Sequence, residues 1–379
     1  MKLEEYVHCG QQKLRCGYTT GTCAAAAAKA AAQTLLSGQK ADRVSLRTSK
    51  GLLLELPVQD MMICGESVSC AVQKDSGDDP DCTDGVLVYV EMRRAEAGIV
   101  IKGGRGVGRV TRPGLSCAVG EAAINPGPRR MIAGCLREVA QTYAYGGGWR
   151  VTISVPEGET LAAKTFNPRL GIVGGISILG TSGIVEPMSE RALVETIRTE
   201  LQQLQAAGTR VAVAVPGNSG EIFLRETMRL SCRAVQCSNY IGDLSDMAAE
   251  LGFEGLLLVG HAGKLVKLAA GVMNTHSRYA DARMEVLTAH AALCGGSPPL
   301  LEQLMGCTTT DEAFGLLEKE NLLHPVMDRL LEKIHFYMDT RVRGKVKTGA
   351  VLFSNVYGLL GQTAHTEELI GRLKGEDTA

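Results

Sequence analysis

Residues 211–221 read VAVAVPGNSGE, and this stretch decides how the second half of the chain folds. Five apolar residues without polar alternation mark a strand covered on both faces, and Pro216-Gly217 then breaks it before a helix. The same texture returns in AVQCS (234–238) and GLLLVG (255–260). A helical stretch at 189–207 precedes these strands, and others, such as LSDMAAEL and KLVKLAAGV, lie between or after them. Regular alternation of buried strand and helix predicts a Rossmann-like α/β domain. Helical segments at 281–295, 298–305 and 311–341 follow, and a final strand AVLFSNVYGLL (350–360) rejoins the sheet.

The texture differs before about residue 188, so the chain divides into domains 1–188 and 189–379. In the first, LRCGYTTGT (14–22) leads into AAAAAKAAAQTLL, a helix that Thr19, Thr20 or Thr22 can cap and Gly38 stops. Alternating runs RVSLRT (43–48), LLLELPV (52–58), VSCAVQK (68–74), VLVYVEMRR (86–94) and VTISVP (151–156) read as strands. A proline-opened helix starts near Pro128. These elements predict an α+β domain with a mixed sheet, interrupted by glycine-rich loops at 101–115 and 170–183.

The whole chain has 379 residues, with 40 Lys+Arg against 41 Asp+Glu, so its net charge of −1 excludes a general nucleic-acid or acidic-membrane binder. Aromatic residues make up 4%, too few for base-stacking platforms. Twelve cysteines contain no Cys-x-x-Cys pair, which argues against structural zinc. Neither a signal-peptide core nor a membrane-length apolar run is visible, so a cytoplasmic protein with reduced thiols is expected. The outlier is glycine, with 45 residues, pointing to loops where the backbone turns tightly or approaches a ligand.

Four loops are candidate binding sites. Pro216, Gly217, Asn218 and Gly220 stand where α/β folds bind nucleotide-like ligands, and Asp243, 23 residues beyond Gly220, stands where an acid often holds a ribose diol. The full GxGxxG is absent, so an ordinary strand-to-helix turn is the competing reading. VGHAGK (259–264) resembles a phosphate loop but lacks its spacing, leaving His261 at a strand end as a general base or an anion's hydrogen-bond partner. Thr19, Thr20, Gly21 and Thr22 surround a helix N-terminus suited to a carboxylate or phosphate, although threonines also cap helices without ligands. Arg112, Arg129, Arg130 and Arg169, with Asn125, lie beside prolines or glycines, as a preorganised receptor for several carboxylates would require.

Taken in order, LRCGYTTGTCAAAAAKAA (14–31), VTRPGL (110–115), GEAAINPGPRRMI (120–132), VPEGETLAAKTFNPRLGIVGGISILGTSGIVEPMS (155–189), VAVAVPGNSGE, SNYIGDLSDMAAELG (238–252), LLLVGHAGKLVKLAAGVMNTHSRYADARME (256–285) and VLFSNVYG (351–358) resemble the cobalt-precorrin-5B C(1)-methyltransferase family of anaerobic cobalamin biosynthesis. The resemblance implies methyl transfer from S-adenosyl-L-methionine to C-1 of a cobalt tetrapyrrole bearing many carboxylates. Cobalt then arrives within the substrate, and no protein metal site is expected. On these loops the cosubstrate is expected at 216–220 and Asp243 and the tetrapyrrole at Thr19–Thr22, Arg112, Asn125, Arg129 and Arg169, with the reverse assignment as the alternative. His261, His276 and Asp243 are the candidates for removing a proton after an in-line displacement. A nicotinamide-dependent oxidoreductase and a non-catalytic tetrapyrrole carrier are the alternatives, and a homo-oligomer is left open.

Overall fold

The computed structural model describes residues 3–9 and 11–376. It comprises two compact units, Met1–Glu190 and Arg191–Ala379. It is a mixed α/β architecture in which both larger sheets are mixed.

The first unit is organised by helix α1 (Thr20–Ser37). Thr19 caps it by accepting the Thr22 N–H (3.2 Å), and Gly38, at φ 73°, ends it in the left-handed conformation. Ala24–Ala28 and Ala30–Ala32 are all 0% exposed, so this helix is buried all round, not amphipathic. Alanine leaves the backbone close to its neighbours: helix α2 (Pro126–Thr142) and the sheet strands Ser67–Gln73 and Leu87–Ala95. That sheet has strands β1 (Gln59–Cys64), β2 (Ser67–Gln73), β3 (Leu87–Ala95), β4 (Ile99–Gly103) and β5 (Gly148–Ser154), in the order β1-β2-β3-β5-β4. All its pairings are antiparallel except β5 with β4. Residues 101–103, expected in a loop, are thus the end of an edge strand.

The loop before β3 is held by an ion pair. Lys74 is 3% exposed and its Nζ lies 2.6 Å from Asp81 Oδ2. Burial pushes the Asp81 carboxyl up, but the Lys74 charge and hydrogen bond, with the Thr83 N–H and hydroxyl, outweigh it and hold the pKa below the ordinary 3.8. A carboxylate lowered on folding stabilises above its unfolded pKa, and that stability disappears as pH falls through the folded value. Asp81→Asn should therefore cost about 3–5 kcal/mol at pH 7, because it leaves a buried ammonium unpaired. Denaturant unfolding at pH 7 and pH 3 checks this: the gap between wild type and variant should shrink at pH 3.

In the second unit, helix α3 (Glu190–Ala206) leads to strand β6 (Val211–Val215). Helix α4 (Asn218–Glu226), strand β7 (Ala234–Gln236), helix α5 (Ile241–Glu250) and strand β8 (Gly255–His261) follow. Helix α6 (Leu323–Val342) precedes the hairpin β9 (Lys347–Ser354) and β10 (Gly358–Gln362), and helix α7 (Thr366–Glu376) ends the described chain. The sheet order is β7-β6-β8-β9-β10, parallel except for β10. Ala212, Ala214, Leu256 and Leu258 pack with α3, α5 and α6 on one face; Val211, Val213, Leu257 and Val259 pack with α4 and α7 on the other. Helices on both faces explain the uninterrupted apolar strands.

Two expectations are corrected here. The stretch 350–360 is not one strand but a hairpin, turned at 355–357 before Gly358 at φ 67°. The stretch 311–341 is two helices, Thr310–Lys319 and α6, separated where Asn321 adopts φ 56°.

Candidate functional site

Strand order reverses between β6 and β8: the chain moves from β6 to β7 on one side, then returns past β6 to β8 on the other. At such a switch point the two following loops diverge, and a crevice opens beyond the carboxyl ends of the strands. The structure has a cavity of about 310 Å3 there, lined by Pro216, Gly217, Ser219, Gly220, Gly260, His261, Gly263 and Lys264.

Each lining residue has a local reason for its place. Gly217 has extended backbone (φ 176°, ψ 179°), and beyond its chain neighbours nothing lies within 4 Å of the position a Cβ would take. Gly220 is different: a Cβ there would lie 2.7 Å from the Val259 carbonyl oxygen, so it allows α4 to seat against β8. His261 ends β8 with its ring edge-on to Phe353 (ring centroids 5.7 Å apart), which itself stacks on Phe223. Its Nδ1 accepts the Gly263 N–H (3.0 Å), so Nε2 is the nitrogen left to donate. In this arrangement His261 presents a donor to the cavity, and a base role through Nδ1 would require breaking that cap. Lys264 is half-buried, and its Nζ donates to the Pro216 carbonyl (3.2 Å) across the crevice. Burial lowers its pKa, with Lys267 adding to that effect and Cys237 opposing it.

Other residues singled out in the sequence lie elsewhere. Asn218 does not line the cavity; its Oδ1 accepts from Gln236 Nε2 (3.0 Å), which also donates to Glu221 (3.1 Å). Asp243 does not line it either. Strand β7 stops at Gln236, so seven residues later Asp243 is in the first turn of α5, and Gln236 occupies the strand end. His276 is exposed on a loop that Lys267 anchors through the Thr275 and Ala280 carbonyls, and its Nδ1 accepts the Arg278 N–H (3.2 Å). Sequence reasoning missed Ser219, Gly260, Gly263 and Lys264 as lining residues; the signal was available in the loops following the buried strands.

In the first unit the glycine loops do converge. Thr20 Oγ1 donates to the Ser177 carbonyl (3.2 Å) and accepts the Leu179 N–H (3.0 Å), and Thr22 Oγ1 donates to the Gly183 carbonyl (2.6 Å). Gly21 N–H donates to Leu179 (3.0 Å), and Asn125 N–H to Ile178 (2.9 Å). Thr19, Thr20 and Thr22 are no more than 4% exposed, so these side chains fasten loop 177–183 to α1 and offer no hydroxyl outward. The three threonines thus have protein partners. Arg129, in the first turn of α2, donates to the Ile124 carbonyl just before that helix (2.8 Å) and to the Ile101 carbonyl on β4 (3.3 Å), which orients its side chain against the sheet. Arg112 is exposed and its stem lies against Gly171, two residues after Arg169. Exposed Leu179 and Val173 stand on the same group of loops.

Among the described residues no three His, Cys, Asp or Glu side chains gather to hold a metal ion, and no helix is long and apolar enough to cross a membrane.

A family model described as CbiD matches residues 7–187, and one described as CbiD, C-terminal domain, matches residues 274–364. The switch-point cavity lies between those two spans. A cobalt-precorrin-5B C(1)-methyltransferase of Ruminiclostridium cellulolyticum is 49% identical over 355 residues, covering 93% of this chain and 92% of that protein. One from Alkaliphilus metalliredigens is 43% identical over 376 residues, 99% of each chain. A crystal structure of a cobalamin biosynthesis protein from Archaeoglobus fulgidus is 30% identical, covering 73% of this chain and 87% of that one with a TM-score of 0.40. Kinship this close over nearly the whole length means that the chain belongs to the cobalt-precorrin-5B C(1)-methyltransferase family.

Proposed function

We propose that the chain transfers a methyl group from S-adenosyl-L-methionine to C-1 of cobalt-precorrin-5B, with the cosubstrate in the switch-point cavity of a Rossmann-like second unit. The observation that carries the reaction is 49% identity over 93% of the chain to a protein of that name. What supports the location is fit. The cavity lies at the low end of the roughly 300–1,000 Å3 typical of small-molecule sites. Its Gly217 lip has no side chain to obstruct a ligand, and among the described residues its Lys264 ammonium has a carbonyl as its hydrogen-bond partner.

When bound, the cosubstrate supplies a sulfonium methyl already activated for displacement. The residues named here need only bind and orient. Gly217 clears the approach, Gly220 fixes α4, and His261 offers Nε2–H from a ring held by Phe353. Holding reactants within about 3–3.5 Å, aligned for reaction, can supply several kcal/mol of the barrier. The tetrapyrrole suits the loops of the first unit: Arg112 and Arg169 for carboxylates, with Leu179 and Val173 for the apolar ring face. With 4% aromatic residues, the ring rests on aliphatic side chains. Cobalt enters as part of this substrate.

Incubation with methyl-labelled cosubstrate and cobalt-precorrin-5B tests the reading. One label should appear in the tetrapyrrole for each S-adenosylhomocysteine released. Tetrapyrrole binding without label would identify a carrier instead, and consumption of NADH an oxidoreductase.

A further inference from the structure

We infer that Lys264 is the carboxylate receptor of the switch-point cavity, taking the α-carboxylate of the cosubstrate's methionine arm and thereby selecting against ligands that lack it. This rests on the cosubstrate occupying that cavity.

Lysines elsewhere in the fold show what is unusual here. Lys29, Lys74 and Lys267 are each buried, and each meets a carboxylate: Glu138 at 2.8 Å, Asp81 at 2.6 Å and Asp281 at 3.6 Å. That is the expected rule for ammonium groups removed from water. Lys264 departs from it. Half-buried on the cavity wall, it makes one hydrogen bond, to the Pro216 carbonyl, and has no carboxylate within ion-pair distance among the described residues. An ammonium carries three donors, so two remain for a ligand. Burial works against its charge, and its nearest charged neighbour on the same segment, Lys267, works in the same direction. A carboxylate entering the cavity would favour the charged form and so oppose both effects.

The position is fixed as well as charged. Lys264 belongs to the turn that His261 caps, and its bond to Pro216 holds the Nζ at the crevice between the loops after β6 and β8. Beside it, the Ser219 side chain and the backbone of Gly217 and Gly220 supply neutral polar groups. The cavity lining therefore holds one lysine and no Asp, Glu or Arg. That arrangement suits an amphoteric ligand with a single carboxylate. It also suits a phosphate, so the test includes a dinucleotide.

The experiment measures binding to the full-length protein by calorimetry, with three probes: S-adenosylhomocysteine, its decarboxylated analogue, and NADH. Wild type should prefer S-adenosylhomocysteine over the analogue by about 10–100-fold, the range of charge-assisted hydrogen bonds. Lys264→Met, of similar length without charge, should lose that factor for S-adenosylhomocysteine and leave the analogue unchanged, so the preference falls to about one. Lys264→Arg should restore part of it. Equal loss of both ligands in Lys264→Met, or an undiminished preference, overturns the assignment to Lys264 while leaving the cosubstrate site intact. If S-adenosylhomocysteine binds wild type but is indifferent to a bulky side chain at Gly217, the cavity itself is wrongly assigned. NADH binding in place of S-adenosylhomocysteine overturns both.

Discussion

Gly217→Trp should reduce S-adenosylhomocysteine affinity by at least about 100-fold, some 2.7 kcal/mol, while leaving the melting temperature within a degree or two. The two halves of this expectation have separate causes. The backbone at Gly217 is extended, a conformation open to any residue, and its Cβ direction meets no other part of the fold within 4 Å. An indole is therefore tolerated by the protein but occupies the space between Pro216, Gly260 and His261 that a ligand needs. Gly220→Ala makes the opposite case. Its Cβ would press on the Val259 carbonyl and the Val215 side chain, so the melting temperature should fall first and binding only as a consequence. Calorimetry and thermal unfolding on both variants separate ligand clearance from packing.

Gly106→Ala should unfold the first unit or bring it close to unfolding. Gly106 has φ 71°, and a Cβ would fall on the Val155 carbonyl, while Gly158 and Gly175 already pack against the Gly106 carbonyl from other directions. A non-glycine residue in this region costs about 1–3 kcal/mol, and overpacking against backbone adds about 1–3 more. The sum is a large share of the roughly 5–15 kcal/mol that holds a domain together. Gly98→Ala is the matched control, since φ is 74° but nothing lies near its Cβ. It should cost only about 1–2 kcal/mol. Denaturant unfolding of both variants decides whether conformation alone or close packing makes these glycines necessary; similar losses would remove the packing argument.

The legible parts of the fold were those in which one local property had one structural meaning. Ala24–Ala32 could only be a helix, and VAVAV and GLLLVG could only be strands covered on both faces. Edge strands were harder to see: β1 and β4 expose Met62, Ile63 and Val100, so their sequences lack the clean alternation that a half-buried strand shows. The break at Asn321 does carry a signal, the polar run Glu318–Asn321, but such a run also fits the solvent face of a continuous helix; the turn before Gly358 is obscured because Val356 and Tyr357 follow Asn355.

The site was legible in outline and misleading in detail. A glycine is chosen wherever the backbone must be approached closely, and the sequence does not say by what. Gly217 faces open space; Gly21 instead faces Pro128 and Leu179, Gly127 faces the Gly180 carbonyl at 2.9 Å, and Gly106 faces Val155. Threonine hydroxyls are ambiguous for the same reason: Thr20 and Thr22 satisfy loop carbonyls and an N–H of the same chain. Asp243 was picked out by counting residues, but a ribose-binding position depends on where the second strand ends, and β7 ends early. Lys264 was passed over because the loop failed as a phosphate loop, although its position after a buried strand already placed a cation at a crevice.

The most direct measurement is a crystal structure of the full-length protein with S-adenosylhomocysteine. The ligand should lie between Pro216–Gly220 and Gly260–Lys264, with its carboxylate at Lys264 Nζ. Density for it on the Thr19–Thr22 and 177–183 loops, with the switch-point cavity unchanged, would contradict the account.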